Sequence, residues 1–137
     1  MEKRYMNLAL TYAIIAMIFG VFYREFTKII NFAGDTTLSV IHPHYFILGM
    51  IFFLLLMIIQ KNYSFSDKKT NKYLIIYNIG LNITGISFLT RGITQVLEIN
   101  LTKGINASIS GIAGIGHFLI GLSLILLLLK IRKKITK

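Results

Sequence analysis

The sequence contains no cysteine. That absence excludes a disulfide framework, a thiolate metal site and a cysteine nucleophile. There is one proline, and only five acidic residues stand among 137. The proline, Pro43, falls in the first turns of an apolar stretch, where a helix tolerates it. The shortage of carboxylates leaves Glu25 as the only candidate general base near the apolar segments. No serine, threonine or lysine nucleophile constellation is present. Gly111, Gly114 and Gly116 precede a histidine inside an apolar run rather than following a strand, so there is no phosphate-binding loop. Catalysis by this chain alone is therefore not the expectation.

What the chain has in abundance is apolar side chains, 55% of the total, with a mean hydropathy of +0.69. Four apolar stretches cover roughly residues 6–23, 39–60, 73–97 and 108–129. Each is near the ~20 residues that a helix needs to cross a bilayer core. Backbone groups cannot go unpaired in lipid, so all four are expected to be helices. The predicted fold is all-α: one integral membrane domain over 1–137, an antiparallel four-helix bundle. The basic N-terminal start followed by an apolar run resembles a signal peptide. The run continues through Tyr23 without a small-residue cleavage pattern, so it reads as the first span.

The net charge is +10, and its distribution sets the expected orientation. Eleven Lys and Arg residues lie at the N-terminus, between spans 2 and 3, and in the C-terminal tail. Four, namely Arg24, Lys28, Arg91 and Lys103, lie on the other side. By the positive-inside rule both termini are cytoplasmic. The same rule accounts for the basic charge without nucleic acid; the expected contact is anionic membrane lipid. Abundant Ile, Lys and Asn fit an AT-rich bacterial genome and a bacterial cell membrane. Sequons at Asn62, Asn82, Asn100 and Asn106 are read as chance in an Asn-rich chain.

Ionisable residues within a membrane are costly and tend to be functional. Here they collect in the expected outer half. Tyr23, Arg24 and Glu25 end span 1, and His42 and His44 begin span 2. Arg91 lies about two turns into span 3, with Gln95 nearer the surface. His117 lies about nine residues into span 4, roughly 14 Å at 1.5 Å per residue. Tyr77, Thr84, Phe88, Arg91 and Gln95 share one face of span 3 by their spacing. Gly114, His117 and Gly121 share a face of span 4. Small residues there serve close helix packing, or leave space for a large flat ligand such as a porphyrin.

Intramembrane histidines suit axial haem ligation, zinc or copper binding, or proton transfer. His44 and His117 form the best axial pair for haem b, and Arg24 and Arg91 are placed to bind propionates. Tyr23, Tyr45, Gln95 and Gly114 would line the pocket. His42, just before Pro43, would contact a propionate or act as a third metal ligand. A tri-histidine zinc or copper site of His42, His44 and His117 is the competing arrangement.

Four segments carry a resemblance over nearly the whole chain. They are Tyr23-Arg-Glu-Phe26, His42-Pro-His-Tyr-Phe-Ile-Leu-Gly49, Arg91-Gly92 with Gln95-Val96, and Ser110-Gly-Ile-Ala-Gly-Ile-Gly-His117. Together they resemble a family of small bacterial four-helix membrane proteins, the domain of unknown function 2871. His42-x-His44 with Leu48-Gly49 is also similar, more loosely, to a segment of haem–copper oxidase subunit I in which a histidine ligates a low-spin haem. This chain lacks the further histidine cluster that holds copper in those oxidases. The resemblance implies a haem-binding helix and not an oxidase. The expected function is thus a b-type haem protein for electron transfer or for haem or gas sensing. The alternative is a small subunit or transporter-like protein that binds a metal ion, a quinone or a partner through the same polar layer. The glycine face of span 4 would equally serve a homo-oligomer or contact with other membrane subunits.

Overall fold

A computed structural model describes residues 1–136. Four long helices account for the architecture, with no strand among the described residues: α1 Glu2–Ile30, α2 Leu38–Tyr63, α3 Lys68–Val96 and α4 Lys103–Ile135. Each is long and apolar enough to cross a membrane. Each also overruns its hydropathic stretch. α1 continues past Tyr23 to Ile30, and α4 starts at Lys103, ahead of Ser108. Hydropathy marks the apolar middle of a helix, whereas the helix itself ends where its backbone is capped. Thr102 caps α4 by accepting from the Ile105 N–H at 3.3 Å. Asp67 and Thr70 form a reciprocal capping box at the start of α3.

Short connections force successive helices to run antiparallel. One end of the molecule gathers the N-terminus, the 64–67 loop and the end of α4. There Arg4 bonds Asn71, and Lys130 pairs with Asp67. The other end, the histidine end, gathers the 31–37 and 97–102 loops. There Gln95 Oε1 accepts from the Thr37 N–H at 2.8 Å. α1 packs along the whole of α2, α3 packs along α4 to a similar extent, and the first turns of α2 also pack on α3. α4 makes no comparable contact with α1. The four-helix arrangement is therefore open along its α1–α4 side.

Glycines set the closest crossings. A Cβ on Gly80 would sit 2.8 Å from the Gly116 carbonyl oxygen, and a Cβ on Gly116 would sit 2.4 Å from Thr84 Oγ1. That hydroxyl is buried without a conventional hydrogen-bond partner. A Cα hydrogen of Gly116 points at it, the weak C–H···O contact typical of tightly crossed helices.

α2 is not uniform. Pro43 lacks the N–H that would bond four residues back, and its ring crowds that carbonyl. Directly beyond it, Tyr45–Ile51 is wound as a π-helix before α-winding resumes at Phe52.

Large apolar side chains on all four helices face outward, among them Ile14, Ile18, Ile47, Ile86 and Phe118. The interior is richer in tyrosine, threonine, serine and glycine. Tyr12 of α1 bonds Asn78 of α3 and accepts from Asn82 Nδ2 at 3.1 Å, and the Tyr45 hydroxyl donates to Asn82 Oδ1 at 3.3 Å. Tyr77 donates to the Leu48 carbonyl at 2.7 Å, in the widened part of α2. Stacked rings run from Phe65 through Tyr5, Phe53, Tyr12 and Tyr45 to Phe19. The interior of the half that holds few charges is thus polar and aromatic.

At the terminal end, the hydrogen bond from Lys130, aided by the Thr70 N–H, holds the Asp67 carboxyl well below the ordinary aspartate value of 3.8. A carboxylate depressed in this way stabilises the fold above its unfolded pKa. That contribution is lost as pH falls from about 3.8 toward the lower folded value. Asp67→Asn keeps a capping oxygen and removes the charge. Its melting temperature in detergent should depend less on pH below about pH 5 than that of the parent chain. Parallel curves would show that Asp67 is not the titrating group.

Candidate ligand site at the histidine end

His42 and His44 are two residues apart on one helix, which turns them to different sides. His42 faces α1. Its Nδ1 lies 2.8 Å from the Ala16 carbonyl oxygen, and the absent side chain of Gly20 makes room for the ring. His44 faces α3 and α4. Its ring centre lies 4.9 Å from that of Phe88 and 6.1 Å from that of His117, with the two imidazole planes at 87°. Phe88 also meets His117 at 5.7 Å.

The expected tri-histidine metal site is therefore not assembled. His42 is spent tying α2 to α1, and no group of three metal-ligating side chains occurs among the described residues. What α2, α3 and α4 bring together is the His44–Phe88–His117 trio. The unequal depths of the two histidines in their hydropathic stretches do not separate them, because α4 starts further out than its apolar run.

The protonation of this pair follows from its partners. His44 Nδ1 lies 2.9 Å from the Val40 carbonyl, and His117 Nδ1 lies 2.8 Å from the Ala113 carbonyl. A carbonyl only accepts, so each Nδ1 carries the proton. In the neutral imidazole this leaves the lone pair on Nε2, the arrangement that prepares a histidine to bind a metal. His44 is half-buried, and His117 is exposed on the open side of α4. A Cβ added at Gly111, Gly114 or Gly121 would meet nothing within 4 Å, so the surface beside His117 is clear.

Arg91 sits one turn from Phe88 on α3 and is half-buried. Its guanidinium donates to Asn106 Oδ1 at 2.9 Å, to the Asn106 carbonyl at 3.2 Å and to Ser110 Oγ at 2.7 Å. No described carboxylate lies within ion-pair distance of it. Ser110 is two turns from His117, about 10 Å along the axis. Arg91 thus places an uncompensated positive charge above the histidine pair.

The other expected pocket residues lie elsewhere. The Arg24 side chain is 79% exposed and meets only Glu25, at 3.8 Å, because α1 continues outward past it. Tyr23 packs on the core of the α1 side. Gln95 pins the 31–37 loop. Tyr45 is buried between α1 and α3, with its hydroxyl against Gly85. Phe88, the ring that joins the two histidines, appears in the sequence only as part of the α3 stripe. Its spacing of three from Arg91 is the signal that places it.

The fold defines a four-helix protein of membrane-crossing proportions with a paired-histidine site at one end. Residues 1–134 match the family described as protein of unknown function (DUF2871), and the chain belongs to that family. No curated protein and no solved structure matches the chain.

Proposed function

We propose that this is a multi-pass bacterial membrane protein with both termini cytoplasmic, and that it binds haem b between His44 and His117 in the outer half. The outward apolar surface of the helices supports the membrane reading, and the basic terminal end supports the orientation. The observation that carries the haem reading is the 6.1 Å separation of two imidazoles whose Nδ1 protons are already committed. At that separation His44 and His117 would be able to offer their Nε2 atoms to one metal centre. Arg91 supplies the charge for a propionate.

The fit has one requirement. The three ring centres form a nearly equilateral triangle, so Phe88 lies beside the midpoint of the pair, in the plane a macrocycle would fill. A porphyrin needs Phe88 to turn aside. Bound haem would supply a one-electron redox centre, and ligation by two histidines favours electron transfer over gas binding. The position of Phe88 also favours a second reading, a zinc or copper ion held by the same two histidines, since a bare ion needs no such movement.

The protein purified in detergent from haem-supplied cells should show a Soret band that shifts on reduction. A colourless protein with stoichiometric zinc or copper would replace the haem reading with the metal one. A protein with neither would end both.

A further inference from the structure

At the terminal end, a cavity of about 630 Å³ opens between the start of α3 and the end of α4. Its rim carries Lys69, Lys130, Lys133 and Lys134, and its inner wall carries Tyr73, Leu126 and Leu129. Lys130 is paired with Asp67. The other three lysines are exposed and have no carboxylate within ion-pair distance among the described residues. A site that is cationic at the rim and apolar along the wall matches a ligand with an anionic head and a hydrocarbon tail.

We propose that this cavity binds one anionic phospholipid. The headgroup phosphate lies among Lys69, Lys133 and Lys134, and an acyl chain follows Tyr73, Leu126 and Leu129 toward the membrane. Lysines serve a phosphate as mobile point charges, and basic pockets between spanning helices are suited to such headgroups. The depth order fits: Leu126 and Leu129 lie one to two turns inward of Lys133 and Lys134 on α4. Asp67 acts as an internal competitor, holding Lys130 away from the phosphate. The inference rests on the membrane reading and is independent of the histidine pair.

Thermal-shift titration of the full chain in neutral detergent provides the test, with short-chain phosphatidylglycerol, phosphatidylcholine of the same chains, and inorganic phosphate as probes. Phosphatidylglycerol should stabilise the protein, and the other two should not. The variant K69Q/K133Q/K134Q should weaken phosphatidylglycerol binding by about tenfold or more. Asp67→Asn, which frees Lys130, should strengthen it. Equal shifts with phosphatidylcholine would reduce the cavity to an unselective detergent groove. Equal shifts with inorganic phosphate would make it an anion site without a lipid. If the triple variant fails to fold, unchanged or weaker binding by Asp67→Asn still overturns the proposal. None of these readouts depends on haem or on a bound metal.

Discussion

Replacing His44 or His117 with alanine is expected to abolish the low-spin spectrum of haem-loaded protein, and the double variant should retain no haem through purification. Each imidazole offers one Nε2 lone pair, and no third described ligand stands nearby to take over. His42→Ala should leave the spectrum unchanged, because its ring is directed at the Ala16 carbonyl. It should instead loosen the α1–α2 contact and lower the melting temperature. Arg91→Leu should weaken haem retention by about tenfold, the scale of one lost charge-assisted hydrogen bond, without changing the ligation signature. Phe88→Ala, which opens the plane between the histidines, should speed haem uptake. Unaltered spectra in both single histidine variants would remove the pair as ligands.

The second large effect is expected at the α3–α4 crossing. Gly116→Val would drive a side chain into Thr84 and into the α3 backbone, where the Thr84 nitrogen is already 2.9 Å from an added Cβ. Neither backbone can yield without separating the helices, so the cost should be at least the 1–3 kcal/mol of a strongly overpacked core. Gly121→Ala, on the same helix but with open space at its Cβ, should not destabilise the protein and should gain about 0.5–1 kcal/mol from alanine's better fit to a helix interior. Melting of the two variants in one detergent compares them directly. Because His117 follows Gly116, the first variant should also lose the ligand site, while the second should keep it. Equal stability of the two would mean that the glycine crossing is not a close one in solution.

The four helices were legible because runs of isoleucine and leucine as long as a bilayer is thick have few other uses. Their ends were not, since capping by Thr102 or Asp67 is a matter of local hydrogen bonding that hydropathy ignores. His44 and His117 were legible as a pair through their chemistry. The separation of His42 from them follows from helical angle, and the neighbour it meets depends on which helix lies on that side. Arg24 was misleading for a related reason: depth can be read from sequence position, but the direction a residue faces at the end of a helix cannot. The Tyr12–Asn78–Asn82–Tyr45 network leaves little mark in the sequence because its residues are neutral, although Asn78 and Asn82 stand at a helical spacing of four.

The widened stretch Tyr45–Ile51 acts as a phase shift in α2. Before it, the helix answers to both α1 and α3; after it, the backbone stays with α1 alone. The two halves thus keep different azimuthal clocks, and the slower winding of the π turns resets one against the other. Loss of a single residue within those seven would barely alter the length or hydropathy of α2. It would be absorbed by a return to ordinary α-winding, because six α-wound residues turn the chain nearly as far as seven wound more slowly, and His44 would still face His117. A homologous chain with one residue fewer between His44 and Phe52 is therefore expected to wind α2 as α-helix throughout and still to present both histidines to each other.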